Sequence, residues 1–436
     1  MRAIFTRLIV VLLLSFIAMT AQGQGAFPAQ TEMPDLSQAH QCLQQGKYLQ
    51  ALVKLEKLDA TNSIVRQELA TTRSFVGDTA GAQAAMDLAE TGTGVADPEA
   101  LVQIEKATRP DALDAIVAEA KDRQIVILNE AHHVPEHRAF ALRLAVRLRE
   151  LGFEYLAVET LSPSTKKLVE RGFPIRWSGY YSQEPVFGDF VRQSLRLGYK
   201  PVGYEAIAIP GVEADPTDQI NQRESAQCQN LMRQIFSKNP QARVFIYVGY
   251  SHATEDTQTL PDGREEAWLA ARLKEATGLD PLTIDQTIQT ERSTIENSTE
   301  LWRLAQTNGL LAQPTVFQNE DQSFLVGGHY AGKVDMQVFH PATKLVRGRP
   351  DWLKSLPGRN AVEIPSEIAA MKTRVLVQAY LAIETEDAVP VDQVILHPDS
   401  PAPVLILPDG EFRLVVQDES GNSKTERSIT VAAATK

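Results

Sequence analysis

The spacing of apolar and polar positions changes character several times along the chain. Between residues 37 and 90 it is helical. LSQAHQCLQQGKYLQALVKLEKL and RQELATTRSFVGDTAGAQAAMDLA each carry an amphipathic stretch, a break at Gly46 or Gly77, and a second short amphipathic stretch. Paired short helices are predicted, and so short an array must pack against something else. TGTGVADPEA, residues 91–100, reads as a connector, and PDALDAIVAEAKDR, 110–123, as a helix feeding a strand.

From residue 124 continuous apolar runs alternate with helical periods. QIVILNE, FEYLAVET (153–160), KPVGYEA (200–206), ARVFIYVGYSHA (242–253) and PLTIDQT (281–287) read as strands. The helices between them include PEHRAFALRLAVRLRELG, with Pro135 in its first turn and Gly152 at its end, TDQINQRESAQCQNLMRQIFSKN, and GREEAWLAARLKEATG with Gly278 as its C-cap. This alternation predicts an α/β domain over 110–345, a mostly parallel sheet flanked by helices. A TIM barrel shares the grammar, but eight clean units are not visible. TVFQNEDQSFLVGG and KVDMQVFHP are shorter runs at the edge of that sheet. Residues 368–436 alternate with period two between Pro, Gly and Asp turns. They predict a small all-β, sandwich-like module ending in a hairpin around SGNS.

The termini and the charge narrow the class. Arg2, Arg7 and LIVVLLLSFIAM, followed by small residues Ala21 and Gly23, have the form of a secretory signal peptide over 1–23. An exported protein, periplasmic or extracellular, is expected. No later run is apolar for about 20 residues, so no stable membrane insertion is expected. The net charge of −12 argues against a nucleic-acid or anionic-membrane binder. Cys42 and Cys228 are the two cysteines. In an oxidising compartment they either pair or stay as separate buried thiols.

The chemistry concentrates at strand ends. LNEAHHVPEHRAF, 128–140, places three of the eight histidines beside two glutamates. Glu130, His132 and His133 follow the first strand, Glu159 ends the second, Glu205 the third and His252 the fourth. In a parallel sheet the carboxyl ends of strands share one edge, where ligands bind. Blander roles exist for each: Glu130 as a helix-terminal charge, either histidine as a packing residue, Glu159 and Glu205 as arginine partners. His137 either reaches the site or faces solvent. His329, Asp335 and His340 could close the pocket from another side, whereas His40 and His397 are expected to be structural.

NEAHHVPEH together with VET, YEA and VGYSHA resembles the erythromycin-esterase, haem-uptake (ChaN-like) and TraB–Tiki superfamily over about 110–345. Glu130 with His132 matches its shorter Glu-x-His spacing and Glu130 with His133 its longer one. Glu159 and His252 match later motif positions, and Glu205 matches more loosely. Asn129 stands where the family has Gly. The frames at Gly46-Lys47-Tyr48 and Gly77-Asp78-Thr79 resemble tetratricopeptide repeats.

The resemblance implies hydrolysis of an ester or a peptide bond. His133 or His132 would be general base, Glu159 or Glu205 would orient that base or bind a positive group, and His252 would be the oxyanion stabiliser or acid. No Gly-x-Ser-x-Gly elbow is present, so a serine triad is disfavoured. A divalent metal, zinc or manganese, would be tried first on Glu130, His132, Glu159 and His252, although His-Glu-x-x-His is absent. Two readings without turnover stand beside this: non-covalent haem binding in a cleft lined by Tyr180, Tyr181, Tyr204 and Tyr250, and a protein-docking factor that engages a partner through its helical repeats and β module.

Overall fold

A computed structural model describes residues 34–89, 97–205, 216–260 and 263–432. The expected signal peptide lies outside the described residues. The chain is α/β, with a six-stranded parallel sheet at its centre. Its strands are β1 (Ile125–Glu130), β2 (Tyr155–Val158), β3 (Lys200–Gly203), β4 (Val244–Gly249), β5 (Leu282–Asp285) and β6 (Met336–Gln337). Their order is β3-β2-β4-β1-β5-β6, an open sheet and not a barrel. β4 lies between β1 and β2, with Glu130 level with Gly249 and Val158 level with Tyr247. The four strands that carry the candidate residues are therefore immediate neighbours.

The apolar runs are continuous because both faces are covered. Val126, Leu128, Leu156, Val158, Phe245 and Tyr247 point to one core, built with Phe140, Leu144, Phe187 and Phe190. Ile125, Ile127, Ala157, Val244, Ile246 and Val248 point to the other, which includes Leu231 and Leu273. The two-residue alternation thus divides each strand between helices Pro135–Glu150 and Pro185–Arg196 on one side and Pro216–Leu231 and Leu269–Thr277 on the other. Glu130 continues the phase of Val126 and Leu128, which aims it at the Pro135–Glu150 helix.

Several local expectations change. Glu265–Ala267 pairs with Thr257–Thr259 as a hairpin, so the following helix starts only at Leu269; it stops at Gly278, which is left-handed (φ 67°). TVFQNEDQSFLVGG forms isolated bridges rather than a strand. Cys42 and Cys228 are both free and buried, in separate cores.

Four helices, Pro34–Gln44, Tyr48–Leu55, Ser63–Phe75 and Thr79–Met86, make the N-terminal segment. Gly46 (φ 74°) and Gly77 (φ 77°) sit at its two matching turns. The C-terminal module has an antiparallel sheet of β7 (Val375–Leu381), β8 (Asp392–Leu396), β9 (Gly410–Asp418) and β10 (Ser423–Val431), ordered β8-β7-β9-β10. Neither part is a separate bead. Leu376 of β7 and Ile395 of β8 belong to the core of the helical segment, and a Cβ on Gly77 would meet the Gln393 carbonyl oxygen at 2.5 Å. The buried ion pair Arg192–Glu384 (2.7 Å) ties the module to the α/β domain, and Arg359, in the segment before the module, pairs with Asp189. Among the described residues no helix is long and apolar enough to cross a membrane.

Candidate functional site

The carboxyl edge of β1, β2, β3 and β4 holds two groups, each built of carboxylates, an arginine and a histidine. The first forms within one stretch of chain. Arg138, one turn into the Pro135–Glu150 helix, donates from Nε to Glu130 Oε2 (2.7 Å) and from Nη2 to Glu130 Oε1 (3.0 Å). It also reaches the His132 carbonyl (2.6 Å) and Glu184 (3.2 Å). Tyr247 on β4 donates to Glu130 Oε2 at 2.9 Å. His132 Nδ1 lies 2.7 Å from Glu130 Oε1. Burial pushes the Glu130 pKa up, but Arg138 and His132 outweigh it, and the carboxyl sits below its usual range. A carboxylate at Glu130 accepts the Nδ1 proton and so leaves the basic lone pair of His132 on Nε2.

The second group is assembled from four segments. Arg223, on the Pro216–Leu231 helix, donates from Nη2 to Glu159 Oε1 (2.6 Å) and Glu205 Oε2 (2.6 Å), and from Nε to Glu205 Oε1 (3.0 Å). Gln227, one helical turn on, also donates to Glu205 Oε1 (2.9 Å). His252 Nδ1 lies 2.8 Å from Glu224 Oε2, while its Nε2 is 3.1 Å from Arg223 Nη1 and 3.5 Å from Glu159 Oε1. The arginine contact requires an unprotonated Nε2; a protonated ring would turn to Glu159. Burial lowers the His252 pKa, but Glu224 and Glu159 outweigh it and raise it. Burial likewise raises Glu159, and His252 with Arg223 more than reverses it, holding the carboxyl well below the usual range.

The groups meet at Gly249. Its N–H donates to Glu159 Oε2 at 2.6 Å. A Cβ there would lie 2.6 Å from His132 Nε2 and 3.1 Å from Glu159 Oε2. The absence of a side chain at Gly249 is what lets the His132 ring stand beside β4. Tyr181 stacks on that ring at 3.8 Å between centroids, 11° from parallel, and Tyr250 meets it edge-on at 5.3 Å. Tyr250 has φ 38°, an uncommon backbone angle for a residue with a side chain.

Glu130, His132, Glu159, Glu205 and His252 are thus brought together, but His133 is not. His133 points the other way, with Nε2 2.8 Å from Gln83 Oε1 of the N-terminal helices. Burial, with Arg292 nearby, takes its pKa down to about 3. The expected role of His133 as general base is therefore corrected: adjacent residues leaving a strand diverge, and His133 became a packing ligand of the helical segment. Of the two roles expected for Glu205, the structure places it on a positive group, Arg223. His137 accepts from the Ala131 N–H (3.1 Å), and His340 lies beside it at 5.3 Å, both fully buried away from Arg223. Asn129 stays in the strand. Its amide donates to Asp285 (2.8 Å) and the Tyr250 carbonyl (3.0 Å), cross-linking β1 to its neighbours.

The metal set is also corrected. Among the described residues no group of three or more His, Cys, Asp and Glu is placed to hold a metal ion. Arg138 takes both oxygens of Glu130, and Arg223 stands between Glu159 and His252. Fixed guanidinium charges fill the space zinc or manganese would need, so these residues do not fit a metal. Nor do the four tyrosines line one haem cleft. Tyr180 donates to Glu68 (2.6 Å), Tyr181 and Tyr250 pack on His132, and Tyr204 is buried in the core on the other face of the sheet.

Sequence reasoning missed Arg138, Arg223, Glu224 and Gln227, and it placed Tyr181 in a haem cleft rather than on His132. A signal existed for three of them. Arg223, Glu224 and Gln227 crowd the polar side of a helix that must cover a sheet, but only the packing, which buries Glu224 and Gln227 fully, shows that this side turns inward.

No family model and no curated protein matches the chain. Parts of it are similar to solved bacterial protein toxins (15% identity, 54% of this chain and 46% of that chain, TM-score 0.30). They are similar also to the type III effector HopBA1 (17%, 42% and 86%, 0.27) and to RRSP, a MARTX toxin effector domain from Vibrio vulnificus (18%, 48% and 42%, 0.28). This chain spans under half the length of the bacterial protein toxins and of the RRSP structure. TM-scores this low carry no function across.

Proposed function

We propose that the protein is a metal-independent hydrolase of ester or peptide bonds that works at the Glu/His cluster, as its motif order resembling the erythromycin-esterase and TraB–Tiki superfamily implies. The observation that carries the reading is the pair of carboxylate-backed histidines, Glu130–His132 and Glu224–His252, on either side of Glu159 and Arg223. His132 takes a proton from water at Nε2, and Glu130, fixed by Arg138, stabilises the imidazolium that forms. Arg223 supplies positive charge to the oxyanion. His252, held toward its protonated form by Glu224 and Glu159, returns a proton to the leaving group. Glu159 keeps the arginine and the two rings in one arrangement.

The test is a screen of the protein against ester and peptide libraries, repeated with His132→Ala and Glu130→Gln. A fall of about 10²-fold or more in kcat, with unchanged unfolding curves, is expected for each. Activity that survives both substitutions ends this mechanism. Export through residues 1–23 belongs to the same proposal, and N-terminal sequencing of the exported protein checks it.

A further inference from the structure

His132 is held from three sides, and two of the three lead out of the α/β domain into the N-terminal helices. Its ring lies flat on Tyr181. Tyr181 packs edge-on against Tyr180 at 5.1 Å. The Tyr180 hydroxyl donates to Glu68 Oε2 at 2.6 Å, and Glu68 is ion-paired with His40 at 2.9 Å. Glu68 lies on helix Ser63–Phe75 and His40 on helix Pro34–Gln44, so the chain of contacts ends wholly inside the helical segment. The second route runs from the edge of the His132 ring to Tyr250, from the Tyr250 hydroxyl to His133 Nδ1 (3.5 Å), and from His133 Nε2 to Gln83 of helix Thr79–Met86.

These contacts are unlike ordinary packing. His40 and Glu68 are both buried and could have been apolar in a helix pair that needed only to cover a neighbour. Burying a carboxylate is costly unless charges and donors surround it. Here the donor from outside the helices is the hydroxyl of the residue next to the one that stacks on His132. Asp87 repeats the arrangement at the segment's end, bonding Arg292 and the Ser293 N–H (2.8 Å). The segment is thus fastened at polar points around the site as well as by its apolar core.

We infer that the N-terminal helices are a structural part of the active site, and that Tyr180, through its hydrogen bond to Glu68, is a positioning residue that sets the orientation of the His132 ring by way of Tyr181. The inference deepens the hydrolase reading for its kinetic consequence, but its geometric content, the orientation of His132, does not need that reading. A ring free to rock by tens of degrees on Glu130 loses alignment with the attacked water, and misplacements of that order lower kcat more than they change KM.

The experiment uses the full chain with Tyr180→Phe, Glu68→Ala and Glu68→Gln. Arg374→Met, which removes the partly exposed pairs to Glu56 of the helices and to Glu419, none of which touches the route to His132, is the control. Ring protons of histidine-labelled protein are followed by NMR, with His132 assigned from His132→Gln, alongside kcat, KM and unfolding curves. Tyr180→Phe removes one hydroxyl and keeps the ring. It is expected to move the His132 resonances, which sit over the Tyr181 face, and to lower kcat about 10-fold with KM within about twofold. Glu68→Ala should do the same, Glu68→Gln should restore part of the effect because its amide oxygen still accepts, and Arg374→Met should do neither. Shifted His132 resonances in a protein that hydrolyses nothing would support the positioning and remove the hydrolase reading. Unmoved resonances in folded Tyr180→Phe and Glu68→Ala would overturn the inference, whether or not the protein is an enzyme.

Discussion

Glu130, Arg138 and His132 form one half of the site, and Glu159, Arg223 and His252 the other. Both set a guanidinium against a carboxylate beside an imidazole, yet they are made differently. The first half closes within residues 130–138: a strand end, a short turn, and the first turns of the helix that follows. Its arginine is completely buried. The second half needs β2, β3, β4 and a helix in the correct rotation, and its arginine and Glu205 reach the surface. A locally closed group can be sealed in the core and used as a rigid base. A group gathered from several segments lies where those segments part, which is also where a substrate could enter.

That contrast predicts unequal costs for equal chemical changes. Arg138→Met leaves Glu130 and Glu184 buried without their cation. Breaking a buried pair this way costs about 3–5 kcal/mol, so urea unfolding should show a loss of that size. Arg223→Met also leaves two carboxylates without their cation, but Glu205 is partly exposed and Glu159 keeps the Gly249 N–H, so a smaller loss, about 1–3 kcal/mol, is expected. Activity should fall in both. Equal destabilisation by the two substitutions would erase the distinction between a sealed half and an open half.

The same contrast explains what could be read from the sequence. The continuous runs IVIL and VFIYVG specify strands covered on both faces, and the strand-end rule places Glu130, Glu159, Glu205 and His252 along one edge. Five strands and those four residues were legible for that reason. The choice between His132 and His133 was not. Both follow the strand, and what separates them is which faces β4 and which faces Gln83, fifty residues upstream. Arg223 and Glu224 were hidden for a related reason: on an amphipathic pattern they belong to the solvent face, and only the packing of their helix over the edge turns that face inward. The helical frames were read correctly as helices. Their role at the site was not legible, because it rests on contacts such as Glu68–Tyr180 between residues 112 positions apart.

Gly249 is the point where the halves touch, and a smaller substitution tests it. Gly249→Ala places a methyl group 2.6 Å from His132 Nε2 and Cε1. The ring is pinned by Tyr181 and Glu130 and cannot swing away cheaply. A loss of about 10-fold to 100-fold in kcat is expected, with a stability cost of about 1–3 kcal/mol from overpacking. His133→Ala, at the residue next to His132 but facing the helices, should keep kcat within a few-fold. If His133→Ala is the more damaging of the two to kcat, the assignment of the base is wrong.

The halves should also differ in the sign of their response to pH. His340 lies behind the first half, against Phe140 and His137, and burial with Arg143 nearby pushes its pKa from 6.5 down to about 3. A histidine that stays neutral when folded but accepts a proton when unfolded contributes nothing to pH dependence well above 6.5. Its stability is then lost as pH falls from 6.5 toward about 3. At about pH 5.5 that loss is about 1.4 kcal/mol. His252, in the second half, has its pKa raised by Glu224 and Glu159 against the effect of burial. Its contribution is fully present below 6.5 and disappears as pH rises through the folded value. Urea unfolding at about pH 5.5 and about pH 8 separates the two. His340→Gln, which keeps a donor for Gln286, should reduce the acid loss by about 1 kcal/mol. His252→Gln should cost more stability at the lower pH than at the higher. Two substitutions that moved the acid limb in the same direction would mean that His252 is neutral in the folded protein, and the proton assigned to the leaving group would have to come from elsewhere.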